Sequence, residues 1–235
     1  MILNLLIVLL ILLLLTLILR KTTEKFTGQL NIIQTWKNND IPQKYLKLIN
    51  SVKILHPNAN YMFFTDNDID IFIKTKFPQY LSTFNSFKYK IEKIDFFRYL
   101  AIYYYGGLYL DLDMYMHLPF DDINDKCVFP IEFTQNSDLI LQKQNFSKLI
   151  GNYAFYAPMK HPFMKLIIDN VVNKRIQIDD DTHKYVYYSA GPVLVSQSYL
   201  DFKNKKSVKL IKKKPFKKSQ FGKYGEHKTM GTWKK

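Results

Sequence analysis

The chain opens with one unbroken apolar run and then settles into short apolar strands and helical repeats. Residues Ile2 to Leu19 are apolar except for Asn4 and Thr16. As a helix they would span roughly 27 Å at about 1.5 Å per residue, close to the hydrocarbon thickness of a bilayer. No basic n-region and no small-residue cleavage site accompany the run, so it reads as an uncleaved single-pass anchor over residues 1–20. Arg20, Lys21 and Lys25 follow it, and the positive-inside rule alone would place the rest of the chain in the cytosol.

Residues 21–29 read as a linker. Leu30 to Trp36 then forms a first strand, followed by a loop through Asn38-Asn39-Asp40 and Ile41-Pro42. From Gln43 to Leu55 the spacing predicts an amphipathic helix with Tyr45, Leu48, Ile49 and Val52 on one face. His56-Pro57 ends it, because the residue before proline disfavours helix. Asn60 to Thr65 reads as a second strand and Ile69 to Lys76 as a second helix. Strands alternating with helices predict a layered α/β fold.

The most informative stretch runs from Lys90 to Asp113, KIEKIDFFRYLAIYYYGGLYLDLD. Ile91, Ile94, Phe97 and Ala101 recur at helical spacing, with Asp95 and Arg98 on a neighbouring face. Gly106-Gly107 breaks the helix, since glycine accepts the positive φ that a helix C-terminus needs. Leu108-Tyr109-Leu110 is a short buried strand that ends in Asp111-Leu112-Asp113. In an extended chain residues i and i+2 share a side, so the two carboxylates would leave the strand together. Like charges so close repel, and a hard divalent cation, Mn²⁺ or Mg²⁺, resolves the conflict. The bland alternative is a solvated Asp-x-Asp loop at a strand end.

The run DFFRYLAIYYYGGLYLDLD resembles the signature of the DXD-containing sugar transferases of glycosyltransferase family 32. The resemblance implies a GT-A fold, a single nucleotide-binding α/β domain over residues 30–202 with its site at the strand ends. A Lys-rich segment, 203–235, would close over that site. It implies a nucleotide-sugar donor (a UDP- or GDP-sugar), a glycan or glycolipid acceptor at a membrane, and transfer with retention. Asp113 would bind the metal and Asp111 the metal or the donor ribose. Arg98, paired with Asp95, would fix the donor sugar and phosphate, unless the pair is only a salt bridge behind the site. Trp36 and its neighbour Gln34 would line the nucleotide pocket, with core packing as the other reading of Trp36. In that opening strand Ile33 stands where the family usually has histidine. Asn152 would face the donor sugar, and His161 reads as a helix-start residue rather than a ligand. Ser189-Ala190-Gly191-Pro192-Val193 resembles a Thr-Gly-Pro element in which Ala190 replaces the threonine. Near the end, His227 would complete the metal shell, and Trp233, after Gly231, would contact the donor. Relatives of the Golgi type have a luminal domain, opposite to the charge rule, so the side of the membrane stays open. The sequon Asn145-Phe146-Ser147 matters only in the luminal case.

Charge adds one feature. Residues 203–235 hold thirteen lysines against one acid, Glu226, so they carry +12 of the net +14. Such a tail suits anionic lipid, a nucleoside diphosphate or a solvated surface, and no nucleic-acid motif accompanies it. The single cysteine, Cys127, excludes an internal disulfide framework. Two rival functions compete with this reading. A haloacid-dehalogenase-like phosphatase wants Thr or Val two residues after the second aspartate, where this chain has Tyr115, and places its Asp-x-Asp after the first strand. A non-catalytic tethered binding protein would have no need of the Asp-Arg-Gly-Gly-Asp-Asp set.

Overall fold

Strand β1 (Asn31–Thr35) buries Ile32 on one face and Ile33 on the other, and the remaining elements are layered around it. The structure, a computed structural model, describes residues 28–132, 147–173, 182–212 and 220–230. The apolar opening run, Asn145 and Trp233 lie outside the described residues. Among the described residues no helix is long and apolar enough to cross a membrane.

From β1 the chain crosses through α1 (Gln43–Leu55) to β2 (Asn60–Phe64), which lies parallel to β1 with Asn31 opposite Asn60. Helix α1 buries Tyr45, Leu48, Ile49 and Val52, the four residues its periodicity selects. His56 closes it: the ring accepts the Phe120 N–H at 2.8 Å and donates to the Val52 carbonyl at 2.8 Å. Burial lowers its pKa, so this ring is a neutral structural tie. Helix α2 (Asp66–Lys76) begins earlier than its apolar pattern indicates, because Thr65 caps it. The Thr65 hydroxyl accepts the Asp68 N–H at 3.2 Å, and the Asp68 carboxylate accepts the Thr65 N–H at 2.9 Å.

A 3₁₀ turn (Pro78–Tyr80) and a short helix α3 (Leu81–Asn85) lead to α4 (Lys90–Tyr105). Tyr89 precedes α4, and its N–H donates to the buried Glu92 carboxylate at 2.9 Å. Phe96 through Ile102 are all buried, so the helix lies inside the fold rather than on its surface. The expected stripe is therefore split: Phe97 and Ala101 enter the core, whereas half-buried Ile91 and Ile94 line a cavity. At the C-terminal break Gly106 has φ +64° and Gly107 φ +112°. A Cβ on Gly107 would meet the Asn31 carbonyl oxygen at 2.3 Å, so a side chain there would push β1 away.

Strand β3 (Gly107–Leu110) pairs parallel to β1 on the side opposite β2. The chain thus leaves β1 for β2 on one side and for β3 on the other. That reversal opens a crevice at the carboxyl ends of β1 and β3, the place where open α/β sheets bind ligands. β4 (Met114–Met116), β5 (Cys127–Pro130) and β6 (Ala154–Ala157) follow. Helices α5 (Pro162–Asn173), α6 (Thr182–Ser189) and α7 (Pro192–Asp201) come next, then β7 (Val208–Ile211) and β8 (Gly225–His227). The main sheet runs β2-β1-β3-β6-β5-β7, with β6 antiparallel to both of its neighbours.

Two strands lie beyond residue 202. β7 is a parallel edge strand of the main sheet beside β5, and β8 pairs with β4 in a second, two-stranded sheet. Leu210 packs against the core on one side of β7, while Lys209 on its other side pairs with Asp122. Alternation, not overall charge, decides that stretch. Helix α6 was not legible in the aromatic run Tyr185 to Tyr188. At α5, His161 is the helix-start residue expected, since its Nδ1 accepts the Phe163 N–H at 3.1 Å.

Candidate active site

β3 alternates between the two faces of the sheet. Leu108 and Leu110 pack toward β4, while Tyr109 packs on the face covered by α4 and α5. Asp111 comes one step beyond Leu110. The Tyr109 hydroxyl donates to its Oδ1 at 2.9 Å, and its backbone N–H donates to the Tyr153 carbonyl at 2.7 Å. The Asp-x-Asp is not a continuation of the strand, as the extended reading had it. Met114 N–H donates to the Asp111 carbonyl at 3.0 Å and closes a turn. This turn, together with the β4–β8 pairing, brings Asp111, Asp113 and His227 together. Met114 sits opposite His227, so the imidazole reaches the Asp113 carboxylate with Nε2 at 3.1 Å from Oδ1.

Ligand atoms of Asp111, Asp113 and His227 all lie within 4.8 Å of one another. The His227 ring is stacked on Tyr153 at 4.4 Å and 9°, which fixes the plane of the imidazole. Asp113 also accepts the Met230 N–H at 2.9 Å, and its carbonyl accepts the Lys228 N–H at 3.0 Å. The C-terminal segment is thereby tied over the turn. Two carboxylates and an imidazole at this spacing are a donor set that fits a hard or borderline divalent cation such as Mn²⁺ or Mg²⁺.

Behind this cluster lies a buried charge network. The Arg98 guanidinium is 3.0 Å from Asp95 and 3.2 Å from Asp111, and it donates to the Asn152 carbonyl at 2.7 Å. It also lies over the Tyr109 ring, 4.6 Å from its centroid. Asn152 in turn donates to Asp95 at 3.2 Å and to the Tyr99 hydroxyl at 2.8 Å. Tyr99 donates to the Ala190 carbonyl at 2.7 Å, which ties α7's approach to the site.

The local fields differ sharply between the acids. Burial pushes Asp95 up to about 7, against the opposing pull of Arg98. Burial likewise raises Asp111 in spite of Arg98. For Asp113 burial acts upward too, but the hydrogen bond and charge of His227, with the Met230 N–H, hold the carboxyl below its ordinary value. Burial would lower His227; its bond to Asp113 and the charges of Asp113 and Asp111 outweigh that and raise it.

A cavity of about 690 Å³ opens over the cluster. One wall carries Thr35, Trp36 and Tyr45, with the two aromatic rings 4.8 Å apart. The Trp36 indole N–H is buried, with no hydrogen-bond partner among the described residues. The lining also includes Glu132, Asn152, Tyr153 and Tyr187. Of the residues singled out in the sequence, Trp36, Asp95, Arg98, Asp111, Asp113, Asn152 and His227 all line this cavity. Gln34 sits just behind: its amide donates to the Asp111 carbonyl at 3.2 Å and accepts the Tyr61 hydroxyl at 2.8 Å. Gln34 therefore braces the turn. Tyr109, Tyr153 and Glu132 were missed. Tyr109 was within reach of the sequence, because it lies two residues before Asp111 on the same strand face. The other two depend on long-range pairing of β5 and β6.

A strand-order reversal with carboxylates and an imidazole gathered at it resembles the architecture of GT-A sugar transferases. Residues 42–130 match the family described as glycosyltransferase sugar-binding region containing DXD motif. Inositol phosphoceramide mannosyltransferase 1 of Schizosaccharomyces pombe is 29% identical over 180 residues, covering 73% of this chain and 51% of that protein. Inositol phosphoceramide mannosyltransferase 3 of the same organism is 32% identical over 165 residues, covering 70% and 43%. Among solved structures, PaToxG glycosyltransferase superposes with a TM-score of 0.52 at 16% identity, over 74% of this chain and 69% of that one, which speaks to the fold alone. In its DXD region, and over 70–73% of its length, the chain is similar to sugar transferases of the family 32 type. It spans about half the length of the curated relatives it matches.

Proposed function

We propose that this protein transfers a sugar of the mannose type from a nucleoside-diphosphate donor to a hydroxyl of an inositol-bearing lipid or related membrane glycan. The observation that carries the reading is the convergence of Asp111, Asp113 and His227 within 4.8 Å at the mouth of the cavity. Those three residues would hold Mn²⁺ or Mg²⁺, which when bound neutralises charge on the diphosphate leaving group.

The chain's own residues do the rest. Trp36 offers an aromatic face for the base and a free buried indole N–H for a base or ribose oxygen. Arg98 orients Asp111, and its Nε, without a partner among the described residues, remains to donate to a donor oxygen. Asn152 holds Asp95 and Arg98 in register on the side facing the donor sugar. The terminal stretch from His227 to Met230 lines the cavity above the turn, where the Met230 N–H ties it to Asp113. Retention at the anomeric carbon and a membrane anchor over residues 1–20 belong to the same proposal. The sugar and acceptor come from the names of the relatives, and the anchor from the apolar run.

The test uses the full chain in detergent with GDP-mannose and a panel of UDP-sugars, assayed for hydrolysis and for transfer to inositol lipids. Turnover of one donor with Mn²⁺ or Mg²⁺, abolished by EDTA and by Asp113→Asn, supports the reading. Turnover indifferent to both chelator and substitution sinks it.

A further inference from the structure

Helix α1 presents an outward face that the transferase chemistry does not use. Gln43, Lys47, Asn50 and Ile54 follow one another at helical spacing along it, with Leu46 beside them. Ile54 is 75% exposed, the most exposed large apolar side chain among the described residues, and Leu46 is 45% exposed. Lys44, Lys47 and Lys53 are exposed on the same helix, which contains no acid in its thirteen residues. The other surface helix of this half of the fold, α2, makes the contrast. It also exposes an isoleucine, Ile71, but sets Asp68 and Asp70 beside it.

Exposed leucine and isoleucine among uncompensated lysines match the two demands of an anionic bilayer surface: apolar burial at the acyl boundary and positive charge at the headgroups. Position matters equally. The first turn of the same helix, through Pro42, Lys44 and Tyr45, forms one lip of the active-site cavity. A bilayer lying against α1 would bring lipid headgroups to that lip.

We propose that the outer face of α1 is a membrane-docking surface for anionic lipid, which sets the cavity mouth at headgroup level for a membrane-borne acceptor. The lipid contact stands on the helix alone; only its consequence for the acceptor rests on the transferase reading. Each lysine near an anionic surface contributes about fivefold in binding.

The experiment places an environment-sensitive fluorophore at Asn50→Cys in the full chain. The native Cys127 is fully buried and does not compete for label. The labelled protein is reconstituted into phosphatidylcholine vesicles, alone or with phosphatidylserine mixed in. A blue shift and quenching by lipid-borne quenchers, larger with phosphatidylserine, are expected. Both should be lost in Leu46→Gln/Ile54→Gln and weakened in Lys47→Glu, while a probe at Asn67→Cys on α2 stays unshifted. Equal signals at the two probe positions, or no response to phosphatidylserine, overturn the proposal. So does a shift that needs no vesicles and grows with protein concentration, which would assign the face to a second copy of the chain. Donor hydrolysis measured on the same samples tells failure of this proposal apart from failure of the transferase reading.

Discussion

Replacing Arg98 by methionine keeps most of the side-chain volume and removes the only positive charge bonded to Asp95 and Asp111 among the described residues. Three contacts disappear, at 3.0, 3.2 and 2.7 Å. The two carboxylates differ in their access to water: the Asp95 side chain is 6% exposed and that of Asp111 26%. Removing one partner of a buried pair costs about 3–5 kcal/mol. Water can partly screen Asp111, which places the expected loss near the lower end, about 3 kcal/mol. For a domain of this size that corresponds to a fall in Tm of roughly 6–12 °C.

The pH dependence gives the sharper check. Burial already sets Asp95 at about 7 in the native protein, above its unfolded value, and loss of Arg98 moves it further up. A carboxyl raised in this way favours folding at pH below its unfolded value. That advantage is lost as pH rises through the folded value. The deficit of Arg98→Met should therefore be small below about pH 6 and grow as pH rises through about 7 and beyond. Thermal unfolding is followed in EDTA, so that no cation stands in for the guanidinium. Arg98→Lys should fall between, since one ammonium cannot fork to both carboxylates and the Asn152 carbonyl. A deficit that is constant with pH, or that grows in acid, would refute the reasoning.

Other perturbations follow from the same geometry. Gly107→Ala places a Cβ against the Asn31 carbonyl at a φ of +112°, and urea unfolding should show a loss of about 3 kcal/mol or more. Thr65→Ala removes the cap of α2 and should cost about 1 kcal/mol. Hydrogen bonds from Thr65 lower the Asp68 pKa, so the wild-type advantage should fade as pH falls through the carboxylate range; acid titration of both proteins by circular dichroism reads this directly. Tyr109→Phe deletes the hydroxyl bond to Asp111 and should lower stability by about 1 kcal/mol while weakening Mn²⁺ binding, both measurable by calorimetry.

What the sequence disclosed was local. α1 and its four buried residues could be read from spacing alone, and so could the Gly106-Gly107 break and the acids after β3. Asp95 and Arg98 could be paired because one helical turn separates them. Residues joined by distant strands were harder. His227 reaches Asp113 only because β8 pairs with β4, a contact between positions more than a hundred residues apart, and family resemblance rather than pattern pointed to it. The Lys-rich end hid β7, since Val208 and Leu210 alternate with lysines whose charge dominates the composition. Glu132 enters the site just past β5 and Tyr153 just before the antiparallel β6, and no local period specifies how those strands pair. The turn at Asp111-Leu112-Asp113 shows a different limit. Two acids at i and i+2 converge in either an extended or a turned backbone, so the pairing of Asp111 with Asp113 was legible through an incomplete local picture.

The central claim, that Asp111, Asp113 and His227 hold a divalent cation for a nucleotide-sugar donor, is tested most directly by titrating Mn²⁺ into the full chain with UDP or GDP present, followed by electron paramagnetic resonance. Saturable binding that tightens with one of the nucleotides, is lost in Asp113→Asn and is weakened at least about tenfold in His227→Ala is the expected result. Equal Mn²⁺ binding by wild type and both variants would contradict the account.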